Sequence, residues 1–137
     1  MGIALVQYFC AMSTLNDYLA RIESFKLEHP IVRQVINQIQ KDFDDIAIEV
    51  ELEDREESPY EQLRKQLRPV IDWLMEKRPE RLFALFYRID IPEQTVKRIM
   101  TGGGEGDVVE QCTDLILQRE LQKVIVRNYY SQVSSSD

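Results

Sequence analysis

The single histidine of the chain, His29, stands directly before Pro30, so acid-base or nucleophilic chemistry must rest on that imidazole or on carboxylates alone. The residue before a proline is pushed out of the helical region, which marks His29 as a turn residue. Carboxylates cluster at Asp42, Asp44 and Asp45, where a divalent cation could be considered. The run lacks the glycine and the distal glutamate of a calcium loop, so it reads as a solvated acidic edge. Cys10 and Cys112 are too few and too far apart in the sequence for a disulfide framework or for a zinc site, which needs about four clustered ligands. Cys112 falls on an apolar helix face and reads as a small buried hydrophobe. No catalytic, cofactor-binding or metal-ligating set is expected, and the chain is read as no enzyme.

Two further stretches carry possible binding chemistry. Gly102, Gly103, Gly104, Glu105 and Gly106 precede a helix, which is where phosphate loops sit. No Lys-Ser or Lys-Thr follows, the element before is a helix, and Glu105 and Asp107 repel an anion, so a flexible linker is expected. Residues Ile91 to Met100 resemble the turn and recognition helix of a helix-turn-helix, with the helix around Leu82 to Arg88 as its first member. On that reading Gln94, Thr95, Lys97 and Arg98 would touch nucleic acid. Phe86 stands where a small residue is usual and Asp90 where glycine is usual, so an ordinary helical corner is favoured. A second likeness spans residues 82–127: Leu85 to Ile91 with Glu93, then Leu115, Ile116 and the block Arg119 to Lys123, are similar to small uncharacterised all-helical bacterial proteins. It implies a shared helical fold and assigns no activity.

The elements that position these residues are mostly helical, with one exception. Ile46, Ile48, Val50 and Leu52 alternate with Ala47, Glu49 and Glu51, the period of a half-buried strand. On a helix Ile46 and Val50 would lie nearly opposite Ile48 and Leu52, leaving no apolar face. No second alternating stretch is present to pair with it, and its backbone groups need partners. The expectation is therefore a short strand over 46–52, with a second copy in a dimer as its candidate pairing partner.

Around it, Ser13 and Thr14 cap a first helix bearing Leu15, Tyr18, Leu19, Ile22 and Phe25. Pro30 starts a second, with Val32, Val35, Ile36, Ile39 and Phe43 on one face. Ser58 and Pro59 open a third, running from Tyr60 to about Lys77, with a kink or break expected at Pro69 and Trp73 anchoring the core. A fourth from Pro79 is apolar nearly all round and expected to be central. Asp90 and Glu93 form a capping-box-like pair around Pro92 that starts a fifth, with Val96, Ile99 and Met100 inward, and Asp107 caps a long last helix with a broad buried face.

Charge is distributed unevenly. The chain of 137 residues carries a net −7, and the segment Asp42 to Glu57 alone holds nine acids against one base. From Arg64 to Arg98 nine bases face five acids, so the molecule is charge-polarised along its sequence. Overall acidity argues against nucleic acid, whose nonspecific binding depends on phosphate neutralisation. The 44% apolar fraction fits one packed domain. No apolar run is long enough for a membrane span, and the N-terminus lacks the basic region of a secretory signal, so a cytoplasmic location is expected.

The reading is thus a mainly α protein: a single compact bundle of about six helices over 12–130 with one short strand, a loose arm at 1–11 and a disordered tail at 131–137. The expected function is non-enzymatic association as a homodimer through Ile46, Ile48, Val50 and Leu52; a helix-turn-helix-like nucleic-acid-binding regulator is the alternative.

Overall fold

The computed structural model describes residues 14–135; the expected N-terminal arm lies outside them. Among the described residues there are seven helices and no strand: α1 (Leu15–Ala20), α2 (Ile22–Phe25), α3 (His29–Phe43), α4 (Pro59–Lys77), α5 (Pro79–Arg88), α6 (Glu93–Met100) and α7 (Val108–Ser135). The expected first helix is divided at Arg21, which leaves helical geometry at φ −94° and ψ 15°.

Local chemistry explains most boundaries. Thr14 accepts from the Asp17 N–H while Asp17 accepts from the Thr14 N–H, a reciprocal cap. Ser58 caps α4 through the Glu61 N–H, and Asp107 caps α7 through the Glu110 N–H at 2.8 Å. Pro69 neither breaks nor ends α4. It stands on the exposed side, where the carbonyl one turn earlier, on exposed Lys65, can bond water instead.

The centre of the fold is α7, which packs against α1, α2, α3, α4 and α6. Its Cys112, Ile116, Leu117, Leu121 and Val124 have no exposed surface, because the stripe runs on at helical spacing for several turns. Val32, Val35 and Ile39 of α3 and Leu63, Leu67 and Ile71 of α4 complete the core. The expectation that α5 is central is corrected. Only Leu82, Leu85 and Phe86 of α5 are buried, and α5 packs on α4 and α3, so one side faces outward. Trp73 is likewise no core anchor, being half exposed. The core-facing row of α4 is filled by Leu67, Ile71 and Leu74, and Trp73 lies off it. Residues 131–135, read from composition as tail, continue α7, helped by Tyr18, whose hydroxyl donates to Gln132.

Residues 46–52 form no strand. The alternation itself is real: Ile48 is buried in the core, Ile46, Val50 and Leu52 pack against it, and Ala47, Glu49 and Glu51 face solvent. What replaces the expected ladder is a set of glutamine side chains. The Ile48 N–H donates to Gln40 Oε1 at 2.7 Å, and Gln40 Nε2 donates to the Ile46 carbonyl at 3.0 Å. Gln66 does both for Glu51, at 3.0 and 2.8 Å, and Gln62 does both for Glu53, at 2.7 and 2.9 Å. A primary amide carries one acceptor and a donor in the same plane, as a peptide does, so α3 and α4 present surrogate strand edges. The bonded residues change from even numbers (46, 48) to odd (51, 53), so the opposite edge of the segment has no regular run of donors and acceptors for a partner strand.

Candidate association face

The proposed association residues Ile46, Ile48, Val50 and Leu52 are turned into their own core. Ile48 is buried and Ile46, Val50 and Leu52 are partly buried, so the expected strand with an apolar face open to a partner is corrected. The acidic segment beside them is drawn onto basic helices of the same chain: Arg81 of α5 pairs with Asp45, with Nη1 to Oδ2 at 3.1 Å, and also donates to the Phe43 carbonyl. Arg88 donates to the Asp42 carbonyl at 3.0 Å, and Lys65 pairs with Glu57. The polarity seen along the sequence is thus partly cancelled in space.

Among the described residues the large exposed hydrophobics are Leu27, Trp73, Phe83, Tyr87, Tyr130 and Val133, and two of them, Phe83 and Tyr87, stand together on the outer side of α5. There Phe83, Phe86 and Tyr87 of α5, Ile91 and Pro92 of the turn, and Val96 and Met100 of α6 line a groove of about 1010 Å³. Tyr87 is 87% exposed and Phe83 48%; Phe83 meets Phe86 edge to face with centroids 6.4 Å apart. Phe86, Ile91 and Val96 are the buried floor of the groove, and an apolar recess beside exposed aromatics is a feature that association sites share. Arg88, Asp90, Glu93 and Lys97 stand around the groove, two cations and two anions on a molecule that is otherwise strongly acidic.

The corner between the two helices is set by Asp90. It adopts φ +62°, and α5 closes with the Ile91 N–H donating to the Phe86 carbonyl and the Asp90 N–H to the Tyr87 carbonyl, the capping pattern that usually employs glycine. Asp90 therefore ends α5 and does not cap α6, whose N-cap is Pro92 with no side-chain bond. Of the residues considered for nucleic acid, Gln94, Lys97 and Arg98 are exposed and Thr95 is half buried. Thr95 lines a cavity with Leu115 and Arg119 of α7, and Lys97 is paired with Glu93 at 3.4 Å. The four do not form one free basic face. The glycine turn is a helix-helix linker, with Gly102, Gly104 and Gly106 all near φ +90°.

Other chemistry-bearing residues do not converge. His29 begins α3 and Asp42 lies near its far end, about 20 Å away along a helix rising 1.5 Å per residue. Cys112 is buried, and desolvation pushes its thiol up to about 11, the condition of an inert structural thiol. Sequence reading missed Gln40, Gln62 and Gln66, although the spacing of 62 and 66 does place those two on one side of a helix. It also missed Glu120, which interrupts the apolar stripe of α7 between Ile116 and Val124.

No family model matches the chain, and neither a curated protein nor a solved structure matches it. No described helix is long and apolar enough to cross a membrane.

Proposed function

We propose that this is a non-enzymatic, cytoplasmic association protein that forms a homodimer through the α5–α6 face. The observation that carries the reading is the groove with its protruding aromatics. A twofold interface needs a patch complementary to itself. Here one surface holds both a recess, between α5 and α6, and a projection, Tyr87 with Phe83 beside it. The charged groups around it support the same choice of partner. Two acids and two bases can pair across a twofold, whereas the acidic stretch from Glu49 to Glu57 would repel its own copy.

Light scattering coupled to size exclusion tests this. Wild-type protein is expected at twice the chain mass, and Tyr87→Asp at the single-chain mass with unchanged helical circular dichroism. A wild type that is monomeric at every concentration, or a Tyr87→Asp variant that stays dimeric, would sink the proposal.

A second reading, nucleic-acid binding through Gln94, Lys97 and Arg98, is favoured by one observation: Asp90 takes the left-handed conformation of the glycine in a helix-turn-helix corner. Absence of any mobility shift with random DNA at low salt would retire it.

A further inference from the structure

Among the described residues Glu120 is the only Asp, Glu, Lys or Arg with no exposed surface, and neither of its carboxyl oxygens has a hydrogen-bond partner when the group is taken as ionised. It lies on the face of α7 that meets α3. The charged groups around it are few. Asp42 of α3 is within hydrogen-bonding reach. Lys123, one turn further along α7, stands 3.5 Å from Glu120 Oε1 but only 2.7 Å from Asp42 Oδ2, so its short bond goes to Asp42. Arg127 is taken up by Gln38 at 2.7 Å, and Gln38 in turn donates to Asp42. Arg88 of α5 reaches only the Asp42 backbone carbonyl, and Arg119 is turned to the Ile89 carbonyl and Asp90.

Two carboxyl groups therefore meet with one ammonium between them. An ionised Glu120 would be a buried carboxylate whose nearest cation, Lys123 at 3.5 Å, is bonded more closely to Asp42, and it would face a second carboxylate; both costs are relieved if it keeps its proton and donates it to Asp42. We propose that Glu120 and Asp42 share one proton across the α3–α7 seam, and that this proton is a pH-sensitive latch holding the two helices together.

The electrostatics agree with the geometry. Burial, then the neighbouring Asp42, pushes Glu120 up to about 8. Burial would raise Asp42 as well, but its hydrogen bonds with Glu120, Lys123 and Gln38 outweigh that and hold it below the ordinary value. For Glu120 the folded state binds the proton more tightly than the unfolded state, whose ordinary value is 4.5. Stability from this group is therefore highest below that value and falls as pH rises toward about 8. Within that window the unfolding equilibrium constant grows by up to about tenfold per pH unit. Above it both carboxyls are ionised against one lysine, and the latch is released.

Chemical denaturation of wild type and Glu120→Gln across this pH range is the test. The amide of Glu120→Gln can donate to Asp42 but cannot titrate, so the variant is expected to lose the slope and to be the more stable protein at alkaline pH. A variant that keeps the wild-type slope overturns the proposal. Should Glu120→Gln fail to fold, carbon NMR of the wild-type Glu120 carboxyl decides directly. A midpoint near 8 supports the latch, and a midpoint in the range of exposed glutamates overturns it.

Discussion

Gln62 and Glu53 are joined as two residues of a β-ladder would be: the Glu53 N–H donates to Gln62 Oε1 at 2.7 Å and Gln62 Nε2 donates back to the Glu53 carbonyl at 2.9 Å. The same Nε2 also reaches the Glu57 carbonyl at 2.8 Å, and the side chain is almost fully buried. One helical side chain thus satisfies three backbone groups of an irregular segment. Gln62→Ala is expected to lower stability by about 2–3 kcal/mol, because partly buried backbone groups are left without partners. Gln66→Ala, at a more exposed site, should cost less. Urea denaturation of both variants measures the difference.

Asp90 occupies a left-handed conformation that costs an ordinary L residue roughly 1 kcal/mol. Its ion pair with Arg119 is long, at 3.8 Å, and exposed, so little is lost with the carboxylate. Asp90→Gly is therefore expected to raise stability by about 0.5–1 kcal/mol, and Asp90→Ala to lower it. Thermal melts of the two variants should move in opposite directions.

Leu121 and Trp73 make a paired test of where the core lies. Leu121 has no exposed surface and Trp73 is half exposed. Leu121→Ala is expected to cost about 2–5 kcal/mol through lost burial and the cavity left behind. Trp73→Ala, although it removes a larger side chain, should cost the lesser amount, because half of its surface is in water already and no closed cavity is left. Equal losses in guanidinium denaturation would place Trp73 in the core after all.

Lys123 is the cation that faces both carboxyls of the α3–α7 seam. Replacing it by methionine keeps most of the stem but removes the charge, and is expected to cost about 1–3 kcal/mol at neutral pH. Asp42 is held below its ordinary 3.8 by Glu120 first, then Lys123 and Gln38, against the opposing effect of burial. Its contribution is present above 3.8 and is lost as pH falls through the lower folded value. Lys123→Met should therefore show a smaller acid-induced loss of stability than wild type, measured by denaturation from neutral pH downward.

Much of the helical layout was legible in the sequence, because apolar spacing and caps are local signals. The stripe Val32, Val35, Ile39 and Phe43, the Ser58–Pro59 start of α4 and the Asp107 cap all lie where the residues indicate. The alternation at 46–52 correctly told which side chains turn inward. It could not tell what would bond the backbone, since a glutamine amide and a second strand satisfy the same groups and only tertiary placement chooses between them. The outward-facing aromatics of α5 were hidden for a related reason. Phe83 and Tyr87 look like core residues by type, and their exposure depends on α7, not α5, holding the centre.

The position of α7 also bears on biosynthesis. Every helix that packs on it is made earlier, so while the chain emerges from the ribosome the apolar faces of α3 and α4 have no complete counterpart until the residues after Val108 follow. A chain stalled before that point would present sticky helices and an unfinished core, the kind of species that chaperones bind and that aggregates when they do not. The burden of completing the fold falls on one late segment, and lesions in α7 should show first as poor yield of the protein in the cell.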